Sequence, residues 1–339
     1  LMEKRYLQEP IAQDLAEKMV LVSGPRQVGK TTMALRLIGA RDHRHPAYLS
    51  WDDIAARARI RKGELPAGQR RIVLDEIHKY ARWRNLVKGL YDTREAGQSF
   101  LVTGSARLDV YRRSGDSMQG RYHPYRLHPV SLREAGGGRD VLEDLLRFGG
   151  FPEPLCRGSE RHWRRWQRER LDRVVHEDVR DLERLREISL IELLIDALPP
   201  RVGSPLSVKS LREDLEIAHD TAERWVTILE NLYVCFRIAP FGAPRVRAVK
   251  KERKLYLWDW SMVDDAGARF ENLVASHLLK LCHYVEDTEG YRMELRFLRD
   301  TDGREVDFVV LRDRKPQFGV EVKTGERGVS RAVRYFKER

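Results

Sequence analysis

One short glycine-containing segment constrains the fold more than any other feature of the sequence. Residues 24–31 read Gly-Pro-Arg-Gln-Val-Gly-Lys-Thr and fit the pattern G-x-x-x-x-G-K-[ST]. An apolar run at residues 19–22 precedes this segment, and a helical pattern at residues 30–38 follows it. A strand that ends in a glycine-rich turn and leads directly into a helix is typical of a parallel sheet. The sequence therefore predicts an α/β domain near its N-terminus.

Further apolar runs extend this predicted sheet. They lie at residues 47–49, 72–74, 100–102 and 122–127, and helical patterns such as residues 83–95 separate them. Strands that alternate with helices form a parallel sheet covered on both faces. Beyond Pro129 the pattern becomes helical, at residues 140–148 and 160–197. This change predicts a helical lid after the sheet domain.

The second half of the chain predicts two smaller units. A proline-rich stretch at residues 199–205 cannot continue a helix and is typical of a linker. Two short helical patterns follow, then strands at residues 233–238 and 255–258, which is the order of a winged helix. A helix at residues 270–281 and three later strands predict a small α/β unit.

Composition excludes several classes of protein. No apolar run approaches the roughly 20 residues that a membrane span requires, and the first residues lack the apolar core of a signal peptide. We therefore expect a cytoplasmic protein without a membrane partner. The three cysteines are far apart in the sequence, which excludes a disulfide framework and a CxxC metal site.

The glycine-rich segment predicts a site for ATP with Mg²⁺. Backbone groups of the loop would wrap the phosphates, and the positive end of the following helix would add to their attraction. Lys30 would bridge the β- and γ-phosphates, and Thr31 would bind Mg²⁺. The loop residues predicted to surround the nucleotide are Gly24, Pro25, Arg26, Gln27, Val28 and Gly29.

Two further strand ends complete the predicted catalytic site. The apolar run at residues 72–74 ends in Asp75 and Glu76. We expect Asp75 to hold the Mg²⁺ shell and Glu76 to polarise the attacking water. The run at residues 100–102 is followed by Thr103 and Ser105, either of which could place a hydroxyl beside the γ-phosphate.

A second group of acids in the C-terminal unit resembles the PD-(D/E)xK nuclease arrangement. Glu271 lies on a predicted helix, Asp307 on a strand, and Glu321 and Lys323 on the next predicted strand. Alternation along that strand would place Glu321 and Lys323 on one face. The acids could bind a second Mg²⁺, with Lys323 supporting the attacking water. An active nuclease and a fold that merely holds DNA both remain open.

The net charge of +11 favours a polyanionic partner. The arginines of residues 161–173 fit a solvated helix face, whereas residues 245–254 have no apolar period. In the second stretch we expect contacts to the DNA backbone from the wing residues Arg245, Arg247, Lys250 and Lys251. Acidic residues on the preceding helix make protein docking the alternative.

Several motifs together resemble a known family. They are GPRQVGKTT, LDE, TGS, GR before LHPVS, FGGFPEP, KLYLWD, FENLV, REVDF and EVK, and they extend over nearly the whole chain. The sequence resembles bacterial and archaeal AAA-type ATPases related to the archaeal ATPases and STAND proteins. The resemblance implies an AAA-type parallel sheet of the P-loop NTPase fold, a helical lid, a winged helix and a nuclease-like fold. We accordingly divide the chain at residues 1–135, 136–199, 200–259 and 260–339.

The same resemblance implies further site residues and an assembly. Thr32 would join the nucleotide site, and Pro152 in the GGFP turn would lie near the adenine. Arg121 would be an arginine finger offered to a neighbouring subunit in a ring or spiral, such as a hexamer. One departure from the family is that a serine, Ser105, stands where AAA proteins usually have a sensor asparagine.

Two functions fit these observations. One is an oligomeric ATPase that remodels DNA by translocation or branch migration. The other is a STAND-like switch, in which the bound nucleotide controls the exposure of the C-terminal region to a partner protein.

Overall fold

The computed structural model describes most of the chain in two compact units. The described residues are 4–105, 118, 120–179, 188–242, 253–300, 304–325, 328 and 330–337. The first unit is Leu1–Gly136 and the second is Gly137–Arg339. Each unit has its own hydrophobic core and its own sheet.

The first unit alternates strands and helices, as its sequence predicts. Its elements are α1 (Gln8–Asp14), β1 (Met19–Ser23), α2 (Lys30–Leu37), β2 (Tyr48–Ser50), α3 (Ile54–Lys62), β3 (Arg71–Asp75), α4 (Trp83–Asp92), β4 (Ser99–Gly104) and β5 (Tyr122–Arg126). The five strands form one sheet in the order β2-β3-β4-β1-β5, and every neighbouring pair is parallel. The predicted α/β fold with a parallel sheet is confirmed.

The central strands of this sheet are apolar because helices cover them. Every residue of β1 is buried, and so are four of the five residues of β3. Parallel strands buried on both faces are expected to be continuous apolar runs of this kind. All the strands end at the same edge, so the loops that follow β1, β3 and β4 lie next to one another.

Gly24 begins the glycine-rich loop at a point of close backbone contact. A Cβ atom built at this position would overlap the carbonyl oxygen of Leu127, the residue that follows β5. The amide of Leu127 in turn donates to the carbonyl of Ser23. The loop can therefore leave β1 along this path only because residue 24 has no side chain. Gly29, at the start of α2, adopts a left-handed conformation with φ 97°.

The second unit is mostly helical before a mixed sheet. Its elements are α5 (Arg139–Phe148), α6 (Pro152–Arg157), α7 (Glu160–Arg173), α8 (Ile188–Ala197), α9 (Val208–Asp214), α10 (His219–Asn231), β6 (Cys235–Pro240), β7 (Lys254–Leu257), α11 (Ala266–Glu289), β8 (Met293–Arg299), β9 (Glu305–Arg312), β10 (Lys315–Val320) and α12 (Arg331–Lys337). The sheet order is β10-β9-β8-β6-β7. Only β6 and β8 pair in parallel, whereas the other described pairs are antiparallel.

The sheet of the second unit includes residues on both sides of the predicted boundary at residues 259/260. Residues of the predicted linker at 199–205 also pair with it. Val202 and Pro205 form bridges with β7, and Val202 is buried. Strands β6 and β7, assigned from the sequence to a winged helix, continue the sheet of β8, β9 and β10. One core contains both Trp225 of α10 and Phe308 of β9. Apolar contacts thus join the two predicted units, and the winged helix stays a prediction.

One local prediction was wrong in detail. Strand β10 ends at Val320, so Glu321 and Lys323 lie beyond the strand rather than within it. Ser131 and Glu134 lie in a turn, where the carboxylate of Glu134 accepts from the amide of Ser131 at 3.0 Å. Within the described part of the chain, none of the helices has the length and apolar character needed to cross a membrane.

The contact at Gly24 generates a prediction about stability. Gly24→Ala should lower the free energy of unfolding by about 1–3 kcal/mol, because the new methyl group would overlap the Leu127 carbonyl. Urea unfolding followed by circular dichroism measures this change. The matched control is Gly89→Ala, in the interior of α4 with open space around its Cβ position. That control should be neutral or stabilising by up to about 1 kcal/mol. Equal midpoints for the two variants would contradict the steric argument.

Candidate active site

The carboxylate of Asp75 lies at the centre of the first unit's candidate site. Its Oδ2 accepts hydrogen bonds from Thr31 Oγ1 at 2.9 Å and from the Tyr48 hydroxyl at 2.5 Å. The hydroxyl of Thr103 donates to the other carboxylate oxygen, Oδ1. Asp75 is 3% exposed. The structure thus brings together the predicted residues Thr31 and Asp75, and it adds Tyr48.

Glu76 lies beside Asp75 but turns away from the strand. Its backbone has φ 55°, a left-handed conformation that is uncommon for a residue with a side chain. The amide of Glu76 donates to the carbonyl of Thr103, and its Oε2 accepts from the Ser105 hydroxyl at 3.2 Å. Burial raises the pKa of Glu76 above its ordinary value, the ammonium of Lys30 opposes that shift, and Asp75 adds to it. Backbone strain of this kind often occurs at functional sites.

The two hydroxyls considered as sensors therefore bind different acids. Thr103 donates to Asp75, and Ser105 donates to Glu76. Each hydroxyl positions one of the two adjacent carboxylates. The prediction that one of them lies beside a γ-phosphate stays a prediction.

Lys30 lies within the glycine-rich loop that precedes it. Its ammonium donates to the carbonyls of Gly24 at 2.9 Å and Pro25 at 2.8 Å, and the side chain is buried. The same ammonium is close enough to Glu76 to oppose the rise in that residue's pKa. A positive charge, a loop of backbone amides and a helix N-terminus therefore share one place. Thr32 follows at an exposed position of α2.

Sequence analysis did not identify two residues that support the site. Arg5 is buried and donates to the carbonyls of Val28, within the loop, and His128. It also pairs with Glu134 at 2.9 Å. Tyr48 reaches Asp75 from the adjacent strand, and burial raises its pKa above the ordinary tyrosine value. Neither residue belongs to a sequence motif. Their contacts form only when segments that are distant in the chain fold together.

The oxygen-rich set around Asp75 fits a magnesium nucleotide. Mg²⁺ prefers carboxylate and hydroxyl oxygens together with phosphate oxygens and water. Asp75 and Thr31 present such oxygens next to the loop that contains Lys30. These two residues could hold the ion, and the loop amides and Lys30 could hold the phosphates.

The remaining predicted residues of the ATPase site are placed as follows. Arg121 pairs with Asp92 of its own chain, with Nε 2.9 Å from Oδ1, and both side chains are partly exposed. This hydrogen bond holds the pKa of the Asp92 carboxyl below its ordinary value. Pro152 begins α6 in the second unit, so its place near an adenine stays a prediction. The wing residues Arg245, Arg247, Lys250 and Lys251 lie outside the described residues.

In the second unit, Lys254 lies among the acids that were predicted to bind a metal. Its ammonium is 3.7 Å from Glu271 Oε1 and forms an ion pair with Glu305. The Tyr256 hydroxyl donates to Glu271 at 2.7 Å. Lys254 is 2% exposed, so a buried cation of the protein itself balances this cluster. The sequence reasoning missed both Lys254 and Glu305.

The other members of the predicted metal site have protein partners as well. Asp307 accepts from the amide of Val322 at 2.7 Å. Glu321 accepts from the amide of Ser330 at 3.3 Å and pairs with Lys323 at 3.3 Å. Burial raises the pKa of Asp307, while the Val322 amide and the Lys254 ammonium oppose the shift. No group of three or more His, Cys, Asp or Glu in the described ranges is arranged to hold a metal ion. The predicted second Mg²⁺ site at Glu271, Asp307 and Glu321 stays a prediction.

Comparison with protein families agrees with the geometry of the first unit. Residues 16–136 match the model of a family described as an AAA domain. Residues 139–271 and 266–339 match two families described as domains of unknown function, DUF8612 and DUF4143. The prediction of an AAA-type domain in the first unit is confirmed.

Individual relatives are distant. The uncharacterized protein Rv2008c of Mycobacterium tuberculosis is 24% identical over 329 residues, which cover 93% of this chain and 73% of that protein. The uncharacterized protein MJ1544 of Methanocaldococcus jannaschii is 21% identical over 361 residues, which cover 96% and 79%.

Two solved structures show weak similarity. AMPPCP-bound DnaA from Aquifex aeolicus is 15% identical, with 66% of this chain and 86% of that chain covered, at a TM-score of 0.33. The RuvB Holliday junction branch migration motor of Thermotoga maritima is 17% identical, with 68% and 85% covered, also at 0.33. TM-scores of this size do not establish a shared arrangement of whole chains.

The charge cluster of the second unit generates a prediction. Lys254→Met should lower the free energy of unfolding by about 1–3 kcal/mol, because the carboxylates of Glu271 and Glu305 would lose their counter-charge. The control is Lys209→Met, whose ammonium is exposed and 4.0 Å from Glu213. Urea unfolding should show a clear shift for the first variant and almost none for the control. A shift of equal size in both would argue that Lys254 is not the cation that balances these acids.

Proposed function

We propose that this protein hydrolyses ATP with Mg²⁺ in its first unit and uses the energy to act on DNA. The observation that carries the ATPase proposal is the Asp75 carboxylate, bonded to Thr31 of the glycine-rich loop and adjacent to Glu76. This arrangement joins a phosphate-binding loop, a site for a cation and a candidate base. It supplies the groups that hydrolysis of a phosphoanhydride requires.

Each group has a distinct part in the proposed reaction. The loop amides and the Lys30 ammonium bind and orient the phosphates, and Asp75 with Thr31 holds the Mg²⁺. When bound, Mg²⁺ neutralises charge on the phosphate oxygens. Glu76 accepts the proton of the attacking water. Burial supports this role, since a raised pKa makes Glu76 a stronger base than an ordinary glutamate.

Ser105 and Arg121 complete the proposed site. Ser105 fixes the Glu76 carboxylate through its hydroxyl, 3.2 Å away. We propose that Arg121 acts on the nucleotide of a neighbouring subunit in a homo-oligomer. It would then exchange its pairing with Asp92 for a pairing with the γ-phosphate. A guanidinium on the surface can reach a neighbour, whereas a buried one could not.

The DNA part of the proposal is supported by charge. The chain has a net charge of +11, and the stretch at residues 245–254 is strongly basic. We assign the contacts to Arg245, Arg247, Lys250 and Lys251, directed to phosphates rather than to bases. The proposal does not extend to strand cleavage, because Lys254 already balances the acids that would hold the second metal.

Two substitutions test the ATPase assignment. Lys30→Ala should abolish ATP binding, because the variant lacks a principal phosphate contact. Glu76→Gln should still bind ATP but fail to hydrolyse it, because the variant lacks only the group that accepts a proton from the attacking water. Binding is measured with a fluorescent ATP analogue and turnover by phosphate release. The control is Lys62→Ala, which removes an exposed ammonium at the end of α3, paired to Glu64 at 3.8 Å. Turnover near the wild-type rate in either Lys30→Ala or Glu76→Gln would refute the assignment.

Substitutions in the basic stretch test the DNA assignment. Replacement of Arg245, Arg247, Lys250 and Lys251 by Ala should weaken DNA binding for all sequences. It should also reduce the slope of log affinity against log salt by about 0.9 for each duplex phosphate that the variant no longer neutralises. Anisotropy with single-stranded, duplex and branched DNA measures both effects, and ATP turnover is recorded with the same DNAs.

The same assays separate the two functional classes. Turnover that rises with DNA in the wild type, and not in the quadruple variant, supports a DNA-remodelling ATPase. Slow turnover that is indifferent to every DNA, together with unchanged DNA binding in the quadruple variant, supports a STAND-like switch acting through a protein partner.

A further inference from the structure

A cavity of about 430 Å³ lies beside β2 in the first unit, and none of the residues assigned to hydrolysis lines it. Its lining comes from the segment before β2, from β2 itself and from the start of α3. The volume is within the range of small-molecule sites, roughly 300–1,000 Å³. It therefore has room for an organic ligand rather than for an ion alone.

Unpaired positive charge distinguishes the lining of this cavity. Arg44 and Arg59 both line it, and within the described ranges neither guanidinium has a hydrogen bond or an ion pair. Arg59 is only partly exposed. By contrast, Arg57 on the same helix donates to the carbonyl of Trp51 at 2.8 Å. A partly buried guanidinium without a carboxylate is a group that an anion would stabilise.

The other polar groups of the lining offset only part of this charge. One acidic residue, Asp53, is among the described residues that line the cavity. Its carboxylate accepts from the amide of Ala56 at 2.7 Å and so caps α3. His43 packs edge-on against Tyr48, with ring centroids 5.1 Å apart. The cavity therefore combines two arginines with aromatic rings, which suits a ligand that has a phosphate and an organic body.

We propose that this cavity binds a small phosphate ester, held through its phosphate by Arg44 and Arg59. The cavity is connected to the candidate active site by one side chain. Tyr48 lines the cavity, and its hydroxyl donates to Asp75 Oδ2 at 2.5 Å. A ligand that shifts Tyr48 changes the hydrogen bonding of the carboxylate assigned to Mg²⁺. This effect on Asp75 rests on the proposed ATPase function, whereas the binding of the phosphate ester does not.

Calorimetry on protein that carries Lys30→Ala tests binding apart from the glycine-rich loop. The probes are AMP, inorganic phosphate and adenosine, which is AMP without its phosphate. We expect AMP to bind and adenosine not to bind. Adding Arg59→Ala should weaken AMP binding by roughly 10- to 100-fold, the range for removing a hydrogen bond to a charged group. The matched control is Arg61→Ala, which removes the same charge from an exposed position of α3 outside the cavity.

Arg44→Ala is a second test that does not depend on folding, because Arg44 is exposed. It should weaken the binding of AMP and of inorganic phosphate alike. Inorganic phosphate binding as tightly as AMP would identify free phosphate as the ligand and keep the assignment to the two arginines. Three results would overturn the proposal: no binding of either phosphate probe, equal binding of AMP and adenosine, or equal affinities in the Arg59→Ala and Arg61→Ala proteins.

The connection to hydrolysis is measured separately. Ribose 5-phosphate, which has no base to compete with ATP, should change ATP turnover in the wild type and in Arg61→Ala but not in Arg59→Ala. Turnover that does not respond in the wild type would refute the connection through Tyr48 and leave the binding result standing. An absence of turnover in all three proteins would instead count against the proposed ATPase.

Discussion

The buried carboxylate of Asp75 ties the first unit together. A carboxylate removed from water is costly unless hydrogen bonds replace its hydration. Here the replacements come from three different elements, Thr31 on α2, Tyr48 on β2 and Thr103 on β4. Strand β3 must therefore lie between β2 and β4, with the glycine-rich loop beside its end, as the sheet order has it. The need to hydrogen-bond the buried Asp75 carboxylate thus accounts for both the geometry of the site and the order of these strands.

The second unit meets a similar requirement in a different way. Its acids come from α11 and β9, and the ammonium that balances them comes from β7. Lys254 thereby joins the edge of the sheet to the other elements of the unit. Among the described residues, Asp75 has hydroxyl donors but no protein cation bonded to it, whereas Glu271 and Glu305 already have one. This difference favours a bound cation in the first unit and argues against one in the second.

The sequence predicts elements well where one residue pattern decides them. Strands β1, β3 and β4 are apolar runs, and the loop after β1 contains its own signature, so their positions follow from local sequence. Tyr48 and Arg5 could not be found in this way, because Asp75 is 27 residues from Tyr48 and Glu134 is 129 residues from Arg5 along the chain. Lys254 was missed for the same reason, since its partners lie on a later helix and a later strand.

Local sequence patterns also could not predict which strands belong to the second sheet. Strands β6 and β7 are adjacent in the chain and pair with each other, so either could belong to a small separate unit. Pairing between β6 and β8 connects segments on either side of the long helix α11, and no local period reports it. This pairing places strands from both sides of residues 259/260 in one sheet, and the boundary predicted there stays a prediction.

Arg121 has a backbone that is fixed in the sheet and a side chain that is partly exposed. Its carbonyl accepts from the amide of Met19 at 3.1 Å, so the residue is anchored where β5 joins β1. Its guanidinium extends to Asp92, in a pair that remains partly open to solvent. Solvent and salt screen such pairs, so they hold a side chain weakly. A phosphate carries more negative charge than a carboxylate and can accept both arms of the guanidinium. In the proposed homo-oligomer, these attractions would favour transfer of Arg121 from Asp92 to the phosphate of a neighbouring subunit's nucleotide, without any movement of the sheet.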